Sequence, residues 1–334
     1  MSSTFIDKTN HQLILALQED GRASNAEIAR YLDINPATVA KRINQLLEDD
    51  VITIRAVPNP YKFGYIANAF ITLNAELGKI NSICEKLCEN FNVQMVLTAF
   101  GWADILLFAG FESWPVLHKF VSEELTMISG VTKVNVFFVK ETVKRYRLFK
   151  NEERTMPDHP VELNDFDKRL ILELSRDGRA SYDQLASILD TSIPTVHRRT
   201  GALVRENIIR IRAVANPARL GFNANSMILL KTDPHKTDEI CETILQFPEI
   251  YLVMKLVNSY DILIGVHAPS FDQLYDIISE KLAHMEGLQK LDTFIRAQVK
   301  KRYFGFYLED SIIDSDAVAK NRRRSSKKKG HEID

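Results

Sequence analysis

Cysteine is scarce, with only Cys84, Cys88 and Cys241 in 334 residues. Three thiols cannot staple a chain of this length, so a disulfide-framed secreted protein is excluded and a reducing, cytoplasmic compartment is expected. Long apolar runs are missing as well. No segment reaches the ~18 consecutive apolar residues that a membrane-crossing helix needs, and Met1 to Lys8 lacks the basic-then-apolar pattern of a secretory leader. A glycine-rich phosphate loop and a metalloprotease helix signature are both absent. His11, His118, His197 and His267 are scattered, and Cys84 and Cys88 have no histidines clustered with them. The cysteines therefore read as small buried residues, and no metal or cofactor is expected. Charge of one sign is lacking too. The net charge is −1, but residues 320–334 carry seven Lys/Arg against two acids, which leaves −6 for the rest. Any contact with nucleic acid must rest on local patches and not on the charge of the whole chain.

A repeat dominates what is present. Asp20-Gly21-Arg22-Ala23-Ser24 returns as Asp177-Gly178-Arg179-Ala180-Ser181, an offset of 157 residues. The same offset carries Ile54-Arg55-Ala56-Val57 onto Ile211-Arg212-Ala213-Val214, Asn59-Pro60 onto Asn216-Pro217, and Gly64 onto Gly221. It also carries Asp104-Ile105-Leu106 onto Asp261-Ile262-Leu263 and Arg145-Tyr146 onto Arg302-Tyr303 without a gap. The period is far too long for a solenoid, so each copy is expected to be a two-part module. The charged join with Pro157 and Pro160 reads as a linker.

Each copy opens with helix signals. Leu13, Ile14 and Leu17 share one helical face, and Gly21 stops that helix. Ser24-Asn25-Ala26-Glu27 is a capping box, matched by Ser181-Tyr182-Asp183-Gln184. Asn35 as N-cap with Pro36 at the first helical position starts a third helix that runs through Glu48. Val51–Val57 is β-rich and stops at Pro58. This order is that of a winged helix-turn-helix, whose third helix enters the major groove. Val39, Ile43 and Leu46 form its inner face, and Asn35, Ala37, Thr38, Lys41, Arg42, Asn44 and Gln45 are the candidate DNA contacts. Lys, Arg, Asn and Gln can bond base edges or phosphates. The second copy keeps Thr195, Arg198 and Arg199 and adds His197, but has Thr200, Gly201 and Ala202 where the first has Ile43, Asn44 and Gln45. Base reading is expected of the first copy and phosphate gripping of the second.

The rest of each copy reads as β-α-β-β-α-β, the order of a ferredoxin-like sandwich. In the first copy this is Ile66–Leu73, Ile80–Phe91, Val93–Ala99, Asp104–Ala109, Trp114–Ile128 and Val131–Val139. Val134, Val136 and Phe138, or Leu291, Thr293 and Ile295, alternate on the last strand and point to a bare apolar face. Packing two sheets together, within one chain or between chains, would cover it. The fold class is thus α+β, with two winged helix-turn-helix domains (5–60 and 162–217) alternating with two ferredoxin-like domains (61–146 and 218–304). A linker spans 147–161, and the 305–334 extension ends in a basic tail without apolar residues, expected to be disordered and able to add non-specific DNA affinity.

These residues taken together resemble the Lrp/AsnC family of bacterial and archaeal transcriptional regulators. The shared features are the Asp-Gly-Arg-Ala-Ser turns, Asn59-Pro60 with Gly64, and Gly101-Trp102-Ala103-Asp104 in the central hairpin. The resemblance covers residues 6–303 and makes this chain look like a fused counterpart of the family's dimer. It implies sequence-specific binding to double-stranded DNA and self-association through the ferredoxin-like effector domains. It also implies a small-molecule effector, commonly an amino acid, bound around the hairpins. The matching positions are Phe100, Gly101, Trp102 and Asp104 in one copy and Val257, Asn258, Tyr260 and Asp261 in the other. Asp104 and Asp261 suit an ammonium group but also suit a plain turn-stabilising role. The chain departs from the family pattern at Asn10, an aspartate in the second copy (Asp167), and in Phe100-Gly101 and Val257-Asn258, where the family has Thr-Gly. The two pockets should therefore differ. Enzymes of the same paired architecture, the siroheme decarboxylases, supply a competing reading. They hold an acidic tetrapyrrole with His, Tyr and Arg in the effector domain, whereas Leu97–Leu107 and Leu256–Gly265 contain neither His nor Arg.

Overall fold

The computed structural model describes residues 7–59, 62–145 and 161–302. Pro60, Tyr146, Tyr303, most of the linker and the basic tail lie outside these described residues. The first copy runs α1 (Lys8–Glu19), α2 (Asn25–Leu32), α3 (Pro36–Glu48), β1 (Ile52–Pro58), β2 (Ala67–Ala75), α4 (Ile80–Glu89), β3 (Val93–Phe100), β4 (Ile105–Phe111), α5 (Trp114–Lys119) and β5 (Val131–Arg145). A π-helical turn at Phe120–Leu125 prolongs α5. The second copy repeats this order. It runs α6 (Asp165–Arg176), α7 (Tyr182–Leu189), α8 (Ile193–Arg205), β6 (Ile209–Ala215), β7 (Ala224–Thr232), α9 (Thr237–Leu245), β8 (Ile250–Val257), β9 (Ile262–Ala268), α10 (Phe271–Asp276) and β10 (Leu288–Arg302).

Two pairings between the copies organise the molecule. The ribbon after α3 is not a hairpin within one copy. β1 pairs antiparallel with β6, from Ile52 opposite Ala215 to Pro58 opposite Ile209. The two three-helix units consequently share one continuous core, with Leu13, Ile14 and Ile43 in the same cluster as Leu170, Ile171 and Leu203.

Below them, the two effector sheets close into an eight-stranded barrel in the order β10-β3-β4-β2-β5-β8-β9-β7. The seams are β5 with β8 (Phe138 opposite Val257, on to Arg145 opposite Leu252) and β10 with β3. β5 and β10 are longer than their hydrophobic pattern predicts because their C-terminal halves leave their own sheet and pair with the other copy. The interior is lined by Phe70, Phe108, Phe137, Met227, Leu229 and Phe294.

The face assignment of the last strand needs correction. Val134 and Val136 pack on the helix-covered side with Ile83 and Leu87, and Leu291 and Ile295 do the same in the second copy. The face that closes on the other copy carries Phe137, Val139 and Phe294. Along an apolar strand both parities read as hydrophobic, and a shift of one residue exchanges the two faces.

Candidate nucleic-acid interface and effector hairpins

Capping places the third helix of each copy. Ser24 and Glu27 cap α2 reciprocally, and Asp33 ends it in the left-handed conformation, φ 52°. The chain then turns into α3, where the Asn35 side chain accepts the Ala37 N–H at 2.8 Å. Asn35 is exposed but is already engaged in this cap. Val39, Ile43 and Leu46 are buried, which turns Ala37, Thr38, Lys41, Asn44 and Gln45 outward into solvent. Arg42 does not join them. It is half-buried and donates from Nη1 to Asp7 at 2.7 Å and to Asn10 at 2.9 Å. Burial of Asp7 works the other way, yet the Asn10 N–H and the Arg42 guanidinium hold its carboxyl below the ordinary value.

The second copy is built alike but presents different chemistry. Arg199, the counterpart of Arg42, grips Asp167 through Nε at 2.9 Å and also through Nη2. Asp167 is only 2% exposed. The Thr195 hydroxyl is 2.8 Å from that of Ser192, the N-cap of α8. The His197 ring stands edge-on to Tyr182, 5.0 Å between centroids. Of the four second-copy candidates, Arg198 is the one that stands exposed among the described residues without such a tie. Arg205, which the sequence pattern does not single out, is exposed in the last turn of α8. Its Nη1 lies 3.1 Å from where a side chain at Gly201 would begin. A cation at the helix C-terminus was the only hint of it.

The repeated Asp-Gly-Arg-Ala-Ser turns meet across the pseudo-twofold axis. Arg22 donates to the carbonyls of Gly178 (2.8 Å) and Ala180 (3.2 Å), and Arg179 donates to that of Gly21 (3.0 Å). The Gly21 N–H bonds Ile211 O, and the Gly178 N–H bonds Ile54 O, each at 2.8 Å. Burial, with the charge of Arg22 nearby, lowers the Arg179 pKa.

At the hairpins, Gly101 (φ 151°) lies against Thr293 O and the Phe294 ring of β10. Its counterpart Asn258 (φ 129°) donates to Val136 O of β5 at 3.2 Å. Phe100 and Val257 are exposed, and Trp102 packs on Phe294 with ring centroids 4.9 Å apart. Asp104 accepts the Ala75 N–H at 2.9 Å, and Asp261 accepts the Thr232 N–H at 2.8 Å and Lys231 at 3.0 Å. Both acids thereby pin their hairpin to the neighbouring strand end. Tyr260 bonds Asp292 and receives Lys290 Nζ at 2.7 Å. The first copy has Ala103, Asn135 and Lys133 at those positions. Burial raises the Asp292 pKa. Elsewhere, burial pushes the Cys84 and Cys241 thiols up to about 11. Among the described residues no helix is long and apolar enough to cross a membrane.

Comparison with known proteins bears on both halves of each module. A winged helix-turn-helix DNA-binding model matches residues 6–53 and 163–210, and an Lrp/AsnC ligand binding domain model matches residues 68–149 and 225–304. The chain belongs to the Lrp/AsnC family. It is a tandem Lrp/AsnC protein with the make-up of a DNA-binding regulator that carries ligand-binding domains. It is similar to an uncharacterized HTH-type transcriptional regulator of Pyrococcus horikoshii, 30% identical over 142 residues that cover 42% of this chain and 90% of that protein. HTH-type transcriptional regulator FL11 of Pyrococcus furiosus is 28% identical over 140 residues, 42% of this chain and 92% of that one. Among solved structures, siroheme decarboxylase NirDL with an iron-uroporphyrin III analogue covers 91% of this Lrp/AsnC chain and 95% of its own. Its TM-score is 0.56 at 14% identity, a likeness of fold.

Proposed function

We propose that this tandem regulator binds double-stranded DNA with α3 and α8 in adjacent major grooves and changes its binding when a small metabolite occupies the effector domains. The observation that carries the reading is α3. Its apolar face is locked into the shared core, and Lys41, Asn44 and Gln45 project from the opposite side with Ala37 and Thr38 small enough for close approach. Arg42 and Arg199 act as struts beneath the reading surface. Phosphate and base contacts fall to Lys41, Asn44, Gln45 and Arg198, with Thr38, Thr195 and His197 beside them. A regulator of this kind acts in the cytoplasm, where its DNA is.

An amino acid is the effector class we favour, held by hairpin turns such as Phe100-Gly101-Trp102 and Val257-Asn258. The Tyr260–Lys290–Asp292 group makes the second hairpin the more polar of the two. Asp104 and Asp261 order these turns. Association of whole chains would use the outward apolar residues Trp114, Phe138 and Val257.

Gel-shift titration against genomic fragments at two salt concentrations tests the reading. A complex that survives on particular fragments at the salt where bulk binding is lost supports it, and uniform loss refutes it. A second reading, a tetrapyrrole-acting enzyme, draws on the fold likeness to NirDL over nearly the whole chain. Titration with an iron tetrapyrrole checks it, since saturable absorbance changes in place of a DNA complex would favour the enzyme.

A further inference from the structure

From the unequal faces of α3 and α8 we infer that one chain reads a non-palindromic site. The half-site under α3 is discriminated base by base, and the half-site under α8 is held through its phosphates with little discrimination. The inference rests on the DNA-binding reading above and adds to it.

The heads are related by pseudo-twofold symmetry and held together by the β1–β6 ribbon and the reciprocal arginine bonds. Their relative placement is thus set by the protein. Their chemistry is not symmetric. On α3 the exposed positions carry Thr38, Lys41, Asn44 and Gln45. Amide side chains in the groove bond adenine in a bidentate way. On α8 the same positions hold Thr195, Arg198, Gly201 and Ala202. Gly201 and Ala202 have no donor or acceptor to offer. Thr195 is bonded to Ser192, and its neighbour Pro194 brings neither a side-chain donor nor an N–H. The N-terminal part of a recognition helix is where bases are read, and here Thr195 is already bonded and the His197 ring is packed edge-on against Tyr182. What remains is Arg198 and Arg205, the latter lying back over Gly201 near the helix end. Two guanidiniums without amide readers suit a phosphate track.

Selection of bound sequences from random duplex by the full chain tests this. The expected motif has one information-rich half and a flat partner half, while two equal inverted halves would overturn the inference. No enrichment at all would refute the regulator reading itself, so the two failures are distinct. Asn44→Ala should lower affinity about 10-fold on the selected site and little on unrelated duplex. Arg198→Ala should lower affinity on both alike and reduce the salt slope by about 0.9; a loss confined to one sequence would count against the inference. Gly201→Asn with Ala202→Gln should enrich a second, inverted half-site. That variant is expected to fold, because the nearest atom is the mobile end of Arg205 and replacing a mid-helix glycine favours the helix. If the motif stays one-sided in a variant with an unchanged unfolding midpoint, the chemistry of α8 is not what sets the asymmetry.

Discussion

Asp7 and Asn10 in one copy, and Asn164 and Asp167 in the other, fill the same two places with acid and amide exchanged. Asp7 and Asn164 each cap the first helix of their copy. The arginine arriving from the third helix meets whichever acid is present, Asp7 for Arg42 and Asp167 for Arg199. The sequence signals Asn10 as a departure from the family pattern, but the remedy three residues earlier is visible only once α1 and α3 are packed. The two ion pairs differ in burial, and that sets their worth. Arg199→Ala leaves the carboxylate of Asp167 buried without its partner, which should cost about 2 kcal/mol after allowing for the exposed side of the arginine. Arg42→Ala faces solvent on both partners and should cost under about 1 kcal/mol. Urea midpoints of the two variants decide this, and equal costs would contradict it. Lys301 gives a pH test. Its ammonium donates to the carbonyls of Cys88 and Asn90 at 2.9 and 2.7 Å, and burial pushes its pKa down to about 7. Between that value and the ordinary lysine range the unfolded chain binds the extra proton, so stability should rise with pH across that window. Lys301→Met should flatten the rise in urea midpoints recorded from pH 7 to pH 9.5.

Helix boundaries were legible at the level of elements because their causes are local. The capping boxes at Ser24 and Ser181 and Pro36 after Asn35 place α2, α7 and α3 where the sequence predicts them. The candidate reading face follows from that, since Val39, Ile43 and Leu46 fix which side is outward. What was not legible depends on the other copy. No local signal says that β1 pairs with β6, or that β5 runs on to Arg145 to meet β8. The sequence marks the Asp-Gly-Arg-Ala-Ser turn as a helix stop, yet its glycine is required by a neighbour. A Cβ on Gly21 would sit 2.9 Å from backbone atoms of Arg212, and one on Gly178 the same distance from Arg55. Backbone cannot yield as a flexible side chain does. Gly21→Ala should therefore destabilise by about 2 kcal/mol and weaken DNA binding by loosening the heads. Gly78→Ala, with nothing within 4 Å, should leave the thermal midpoint unchanged. Thermal unfolding and gel shift on the two variants separate these outcomes.

Across the whole molecule, the copies behave as partners in one particle and not as successive beads. They share the helical core around Leu13 and Leu170 and the barrel interior around Phe70 and Phe294. The repeat offset made the two modules countable from sequence, but how they embrace could not be read there. The face-to-face packing left open between one chain and two is realised within one chain. A chain carrying an engineered protease site among residues 147–160 should, once cut, still elute as a single species and unfold in one transition. Two separately eluting halves would contradict the interlocking. The closed barrel has a consequence of its own. With every strand of the ring hydrogen-bonded on both sides among the described residues, no edge of the ring is left to pair with a strand of another chain. Pairing is intramolecular, so dilution to a few copies cannot dissociate the heads. The pairing of the two heads is thus settled as the chain is made.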